Sequence, residues 1–564
     1  MVLNRTTRRA SLNATDWFVF GCYVLAAVLL YSRMWTDVGA SYLTNSGHDQ
    51  NLFEWFFAVA AGSPGDALHS TLQNFPFGVN MMANTSVLGL GIPLSPITWL
   101  FGPGTTFLVV LTGGVAGSAA GWYWVISRYL VDNRIGAAVG GAFCAFAPPM
   151  ITHATAHPNF TALFVLPFIV ARVIRLARGE SLLRNGFILG LLVAYQVFLG
   201  EEPLLIAATA LVVYGLARPS VLSTHLLKGI GIAGLVAASI VAYPLWQQFF
   251  GPQSYTSMGH GGAGNDLATM TAFGSYSIAG DPDSAGRISI NPTEENAFFG
   301  WPLVILVVVL AIWLWRVAAA RALVITAAVM AVLSLGWLLK VNGEETWLPL
   351  PWLAVSQLPL YDSLLGARFA MACVPTIGIL LAMACQRIIT LADNATHIPL
   401  RLLWFGTLVA VLLPITPTPL PVHQRPGVPA YFAEGVWRDD AKPGRSVVMV
   451  PPASPGNSEP LHWQTEAGMG FPLAEGYFVG PGRGREGHYG AVRRPTSELL
   501  DAIARGERRA IGPVQRDQAL ADLRFWRAGV VVLGPHERQE QLREACEALF
   551  GPGSYRGGVW TWRI

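Results

Sequence analysis

The chain has 564 residues, of which 52% are hydrophobic and 13% charged, whereas about 25% of the residues of soluble proteins are charged. This composition excludes an ordinary water-soluble domain. The net charge of +3 is too small to indicate a nucleic-acid partner.

Repeated apolar runs predict a polytopic α-helical membrane protein, because about 20 helical residues are needed to cross a bilayer core of about 30 Å. We predict about eleven spans, at 16–35, 105–126, 135–150, 160–177, 185–199, 203–217, 228–247, 299–315, 322–339, 367–386 and 402–416. The first apolar run lacks a small-residue cleavage site, so we interpret it as a retained span and not as a signal peptide.

Basic residues predict the orientation, because Lys and Arg collect on the cytoplasmic side of membrane proteins. With the N-terminus inside, the cytoplasmic segments hold Arg5, Arg8, Arg9, Arg128, Arg134, Arg172, Arg175, Arg178, Arg184, Arg218, Lys228, Arg316, Arg321, Arg387 and Arg401. The opposite loops between spans hold almost none: Arg287 and, at span edges, Lys340 and Arg368. We therefore predict a multi-pass plasma-membrane protein with a cytoplasmic N-terminus and an extracytoplasmic C-terminus.

Two domains are predicted: a transmembrane catalytic domain at 1–417 and a small extracytoplasmic α/β domain at 418–564. In the second, SVVMVPP and AGVVVLGP have the composition of buried strands, and SELLDAIARG and HERQEQLREACEALF have helical periodicity. Its tryptophans suit either a core or a surface that stacks on sugar rings; they are Trp437, Trp463, Trp526, Trp560 and Trp562.

Long outer loops are predicted at 36–104 and 250–298. The first contains no Lys or Arg and carries His48-Asp49 directly before an amphipathic segment at 52–61. The second is rich in Gly, Ser and Asp, which is typical of a mobile segment that orders over a ligand. The aromatic and Pro content of 341–366 favours a partial helix at the membrane interface.

Asp49 is the leading catalytic candidate, because an acid at the membrane surface is costly unless it is paired or functional. It also suits a helix cap for the segment that follows. Glu201 and Glu202 share a very short turn, where paired carboxylates either bind a divalent cation, raise one another's pKa or remain solvated.

His153 and His157 have the spacing of one helix face, as a metal pair needs, although Pro158 argues against a helix there. Hydrogen bonding to sugar or phosphate is the alternative. Arg368 lies at the outer start of a span, where a guanidinium either grips a lipid phosphate or snorkels to the interface.

The GxGxxG pattern at 482–487 is not a dinucleotide site, because no clear strand precedes it and no helix opens from it. We interpret it as a flexible basic loop.

The pattern resembles the C-type superfamily of integral-membrane glycosyltransferases. The shared features are many spans, a long first outer loop with an early Asp, an interfacial helix, a mobile later loop and an outer C-terminal domain. The segments HDQNLFEW, FPFGVNMMANTS, GEEP, NPTEENAFFG and LLGARF are also similar to parts of actinobacterial membrane proteins described as glycosyltransferases.

The resemblance implies sugar transfer from a polyprenyl-phosphate donor to an extracytoplasmic glycan or lipid acceptor, with inversion and with membrane lipids around the site. By position, Asp49 would be the general base, Arg368 would hold the departing phosphate, and His48 would tune Asp49 or bind that phosphate. Residues that would orient the acceptor or a metal are Glu201, Glu202, His153, His157 and Glu295. The sequence identifies no cofactor with certainty, and a divalent cation is the one candidate.

Two other classes remain: a lipid or polysaccharide transporter or flippase, and a non-catalytic scaffold for envelope assembly. If the protein were a transporter, we would expect ionisable residues in the middle of the spans and inverted repeats in the sequence. Here the acids collect at the outer ends of the spans, which favours the enzyme.

Overall fold

A computed structural model describes residues 12–62, 67–393 and 398–564, with the side chains of 393–399 excepted. The basic residues Arg5, Arg8 and Arg9 lie outside the described residues. The helices that overlap the predicted spans are Ala14–Leu30, Pro103–Val125, Arg134–Phe146, Leu166–Ala177, Leu182–Leu199, Glu201–Ala217, Thr224–Phe250, Trp301–Leu314, Ala318–Leu333, Cys373–Asp393 and Ile398–Leu412.

Within the described residues, four helices are long and apolar enough to cross a membrane: Pro103–Leu130, Leu182–Leu199, Thr224–Phe250 and Gly366–Ala392. The others are shorter, so the number of crossings stays a prediction. Large apolar side chains face outward from the bundle, and Leu235 and Ile312 are 76% and 74% exposed. Such outward-facing apolar surface suits contact with lipid.

The predicted first-loop helix is present at Gly47–Gly62 but does not lie at an interface. Its side chains from Gln50 to Ala61 are buried, except for a half-buried Ala58. Trp55 donates a 2.6 Å hydrogen bond to Gln464, and Glu54 forms a 2.6 Å ion pair with Arg425. The C-terminal part of the chain therefore covers this helix, which leaves it no exposed apolar face.

The segment 341–366 also differs from the predicted partial helix. Its first residues belong to a hairpin of Leu338–Val341 and Glu344–Pro349, and only Trp352–Val355 is helical before two short 3₁₀ turns. Backbone amides of Asn342 and Gly343 donate to the carboxylate of Asp266, at 2.9 and 2.6 Å. The hairpin is thereby fixed to the long loop at 250–298, which contains the short helices Leu267–Met270 and Pro282–Gly286.

The C-terminal part contains a four-stranded sheet in the order Ser554–Arg556, Val559–Arg563, Ala528–Leu533, Ser446–Val450. The last two strands are parallel, with Val531 opposite Val448, and are the two strands that the sequence predicted. They are buried throughout, which suits their β-branched composition. The helices of this part are Pro495–Ala504, Pro513–Phe525 and Gln539–Phe550, with Glu459–Glu466 beside the first-loop helix.

Four of the five tryptophans of this part are buried: Trp437, Trp463, Trp526 and Trp562. They pack in the interior, so these four offer no surface for stacking on sugars. The alternative of a core role is the one that the structure supports.

The two parts of the chain are joined by direct backbone pairing. Ser41–Leu43 of the first outer loop pairs antiparallel with Val422–Gln424. The side chain of Asn84 bonds both backbone groups of Val479, at 2.9 and 2.7 Å. This pairing places the hairpin of Val479–Pro481 and Gly487–Tyr489 beside the first outer loop.

Candidate active site

Asp49 lies in the first turn of Gly47–Gly62 with its side chain 25% exposed. One carboxylate oxygen accepts a 2.6 Å hydrogen bond from the hydroxyl of Tyr477. The other lies 3.7 Å from Nε2 of His157. Burial opposes ionisation, but the contacts with His157 and Tyr477 outweigh it and hold the pKa of Asp49 below its ordinary value. The carboxylate is therefore ionised and accessible.

His153 and His157 lie together although the helix Pro148–His153 ends at the first of them and Pro158 begins the next helix, Pro158–Thr161. The amide of His157 donates to the carbonyl of His153 at 2.8 Å, which closes one helical turn. Their Nδ1 atoms are 2.9 Å apart, and Nε2 of His153 is 2.6 Å from the amide oxygen of Asn296. Burial lowers the pKa of His153 to about 3, so this imidazole is neutral at physiological pH.

The Arg368 guanidinium is held by two carboxylates. It forms close ion pairs with Glu202 and Glu294, and its Nε lies 3.1 and 3.2 Å from the oxygens of Glu294. It also lies 4.7 Å from the ring centre of Phe160. A guanidinium has five N–H groups, so these bonds leave one on each terminal nitrogen for another ligand.

Glu294 contacts both His153 and Arg368, and so connects the histidine pair to the arginine. Its carboxylate accepts a 2.8 Å hydrogen bond from Asn296 and lies 3.8 Å from Nε2 of His153. Burial opposes its charge, but the Arg368 guanidinium outweighs that effect and holds the pKa of Glu294 well below its usual value. We call the set Asp49, His153, His157, Glu202, Glu294 and Arg368 the ion-pair cluster.

The side chains of Glu201 and Glu202 point in different directions, because both residues lie in the first turn of the helix Glu201–Ala217. Successive side chains of a helix point about 100° apart, so Glu202 reaches Arg368 while Glu201 accepts a 2.8 Å hydrogen bond from Gln248. The second oxygen of Glu201 is buried and has no hydrogen-bond partner among the described residues. The acidic pair is therefore not a shared cation site.

His48 and Glu295 lie outside the ion-pair cluster. The side chain of His48 points toward the C-terminal part, where its Nδ1 is 3.2 Å from the hydroxyl of Ser458. Glu295 accepts a 2.8 Å bond from the amide of Ser275 and a close bond from its hydroxyl. The acid that enters the cluster is its neighbour Glu294, since adjacent residues of an irregular loop face different sides.

Sequence reasoning assigned no role to Glu294, Asn296 or Tyr477. NPTEENAFFG carries a run of polar side chains shortly before the apolar helix Trp301–Leu314, and that placement was the available signal for the first two residues. No signal marked Tyr477, because only the docking of the C-terminal part brings it to Asp49.

Three donor groups of the cluster could hold a metal ion. The ligand atoms of His153, His157 and Glu294 all lie within 4.8 Å of one another. Two imidazoles and a carboxylate are the donor set of many zinc sites. The cluster also has three carboxylates and one guanidinium, so its charge balance favours a cation. The residues present fit a divalent cation.

An apolar cavity of about 250 Å³ begins beside the cluster. Phe160, whose ring contacts both Arg368 and His153, lines one end together with Pro203 and Met371. The opposite end is lined by Arg178, Arg218 and Leu222. The cavity therefore runs between helices, from the cluster to the other end of the bundle.

Most of the chain is similar in fold to a solved oligosaccharyltransferase. The oligosaccharyltransferase AglB of Archaeoglobus fulgidus, solved with an inhibitory peptide and a dolichol-phosphate, superposes with a TM-score of 0.50 at 11% identity over 92% of this chain and 69% of its own. The fold is that of the C-type membrane glycosyltransferases. ArnT of Cupriavidus metallidurans, solved in the apo state, gives a TM-score of 0.43 at 14% identity, over 97% of this chain and 98% of its own.

No family model and no curated protein matches the sequence. The C-type fold is therefore visible in the arrangement of the helices and outer loops and not in a shared sequence. The predicted resemblance is confirmed at the level of the fold.

Proposed function

We propose that this protein transfers a sugar from a polyprenyl-phosphate donor to an extracytoplasmic glycan or lipid acceptor, with inversion. One observation carries the proposal: an ionised, accessible carboxylate and a guanidinium with two remaining N–H groups belong to one cluster at the end of an apolar cavity. A lipid-linked donor needs this combination, because its tail is apolar while its reacting end is a charged phosphate ester.

Asp49 is the general base of the proposed reaction. It accepts the proton of the acceptor hydroxyl as that oxygen forms its bond to the anomeric carbon. The bond from the anomeric carbon to the phosphate oxygen breaks, and the electron pair leaves with polyprenyl phosphate. Attack and departure on opposite faces of the sugar invert the configuration. Tyr477 and His157 keep the carboxylate ionised and fix its direction.

Arg368 binds the departing phosphate through its two remaining N–H groups. Glu202 and Glu294 orient the planar guanidinium, as carboxylate partners do for arginines that bind phosphate. The phosphate thus meets a donor whose position is already fixed, which lowers the cost of ordering it in the transition state.

A divalent cation at His153, His157 and Glu294 is part of the proposal. Such an ion, when bound, would neutralise charge on the leaving phosphate. Chelator treatment of the purified protein is expected to abolish release of polyprenyl phosphate, and added Mn²⁺ or Zn²⁺ to restore it. Full turnover in the chelator would show that these three residues act without a metal.

The central experiment uses the full chain in lipid nanodiscs with a panel of polyprenyl-phosphate hexoses and pentoses, and measures free polyprenyl phosphate. Asp49→Asn is expected to reduce release about 10²–10⁴-fold, the usual contribution of a general base. Asp281→Asn is the control, since that carboxylate lies exposed in the loop 250–298 and binds Ser284.

The alternative classes give different results. A flippase would move labelled lipid between leaflets in both the parent and Asp49→Asn without releasing phosphate. A scaffold would show neither activity. Either outcome, with a folded protein, overturns the proposed transferase.

A further inference from the structure

The far end of the apolar cavity carries positive charge. Arg178 and Arg218 line it there, one residue beyond the helices Leu166–Ala177 and Glu201–Ala217. The second helix has 17 residues and therefore separates Glu202 from Arg218 by about 25 Å. That length is close to the bilayer core of about 30 Å. Residues from Pro203 to Arg218, nearly the whole length of this helix, contribute to the cavity wall.

Not every N–H group of Arg218 has a hydrogen-bond acceptor among the described residues. Its terminal nitrogen donates to the hydroxyl of Tyr214 at 3.3 Å. Its Nε is buried and has no acceptor among the described residues. A buried donor without an acceptor costs free energy unless a ligand supplies one. Arg178 lies at the same end, where it donates to the carbonyl of Tyr129 at 2.9 Å.

The surrounding charges reinforce the positive field. Arg172 and Arg175 lie near the end of Leu166–Ala177, and Arg184 lies in the first turn of Leu182–Leu199. Arg172 donates to the amide oxygen of Asn185 at 3.2 Å. Glu180 is the nearby acid, and it forms a 2.7 Å ion pair with Arg175. The positive-inside tendency explains the sign of this surface. It does not explain why two arginines line an apolar cavity.

The cavity wall next to these arginines is suited to hydrocarbon chains. Val170, Val173, Ile174, Leu211 and Leu222 line it. A group that bonds Arg218 and also fills this wall must combine an anionic head with apolar chains. Basic pockets between transmembrane helices at the cytoplasmic surface bind anionic phospholipids by this combination.

We infer that the far end of the cavity is a binding site for an anionic phospholipid of the leaflet opposite the ion-pair cluster. Its phosphate lies between Arg178 and Arg218, and one acyl chain enters the cavity. The polyprenyl phosphate of the proposed donor is a different ligand, because its phosphate belongs at Arg368, about 25 Å away along the helix. The site does not depend on sugar transfer.

The test measures lipid retained by the full chain. The protein is purified in mild detergent, delipidated, and returned to nanodiscs that contain phosphatidylglycerol and phosphatidylcholine. Native mass spectrometry then counts the bound lipids after mild detergent exchange. Loss of two arginine–phosphate contacts is expected to weaken retention of phosphatidylglycerol about thirtyfold in the double variant Arg178→Gln/Arg218→Gln.

Arg321→Gln is the matched control, because this arginine lies at the start of Ala318–Leu333 and does not line the cavity. The control is expected to retain phosphatidylglycerol as the parent does. If the double variant does not fold, Arg218→Gln alone is expected to show a smaller loss in the same direction.

Three results would overturn the inference. The first is equal retention by the folded arginine variants and the parent. The second is equal retention of phosphatidylcholine and phosphatidylglycerol by the parent. The third is loss of a polyprenyl phosphate that co-purifies with the parent before delipidation, with phosphatidylglycerol retention unchanged, on substitution of the two arginines.

Discussion

The hydroxyl of Tyr477 donates a 2.6 Å hydrogen bond to the carboxylate of Asp49, although 428 positions separate them in the sequence. Asp49 belongs to the first outer loop and Tyr477 to the C-terminal part. The proposed catalytic base is therefore completed by a residue from the other end of the chain. The C-terminal part then has a role in the site beyond enclosing the first-loop helix.

Tyr477→Phe tests this role. A hydrogen bond to a charged group is worth roughly 1.5–3 kcal/mol, so its loss is expected to raise the pKa of Asp49 by about one unit or more. The base acts when ionised, so the acidic limb of the pH profile of kcat/KM is expected to move to higher pH. Tyr555→Phe, an exposed tyrosine of the same part, is the control. An unmoved limb would show that Tyr477 only packs against the loop.

Glu294 and Glu295 are expected to differ in stability although they are adjacent and both buried. Glu294→Gln leaves the Arg368 guanidinium with one carboxylate and is expected to cost about 3 kcal/mol or more. Glu295→Gln keeps an acceptor for Ser275 and is expected to cost about 1 kcal/mol. Thermal unfolding in detergent measures both. Equal costs would contradict the different partners of the two carboxylates.

Acid is expected to destabilise the protein through His153. In the folded state burial keeps the pKa of this imidazole near 3, whereas the unfolded chain takes up the proton near pH 6.5. Stability is then lost as the pH falls below about 6.5, by about 2 kcal/mol at pH 5. Burial acts on His462 in the same direction and lowers its pKa to about 3.

Unfolding measured in a chelator from pH 7 to pH 5 checks the effect of His153. The stability of His153→Gln is expected to depend on pH less steeply than that of the parent, with the remainder due to His462. Parallel curves for the two proteins would remove His153 as a cause.

The predicted orientation places the ion-pair cluster outside the cell. In a Cys22→Ser background, Ser284→Cys lies exposed in the loop 250–298 and Ser181→Cys lies exposed at the opposite end of the helices. A membrane-impermeant maleimide is expected to label intact cells at 284 and to label 181 only after lysis. The reverse pattern would place Asp49 in the cytosol and remove the proposed donor.

Local sequence patterns were enough to predict the helices of the membrane part, because each apolar run is continuous in the sequence. They also predicted the valine-rich strands Ser446–Val450 and Ala528–Leu533, whose side chains suit burial on both faces. Asp49, His153, His157, Glu202 and Arg368 were named as candidates from their placement at span ends, and the structure brings these five together.

The pairing of acids with bases could be found only from the folded chain. Glu294 lies at Arg368 and Glu295 does not, and Tyr477 reaches Asp49 while His48 turns to Ser458. The physical reason is that these choices depend on the direction of side chains in irregular loops and on the docking of the C-terminal part. Side-chain directions in loops and the docking of the C-terminal part leave no periodic pattern in the sequence. Burial and paired charges fix them once the chain is folded.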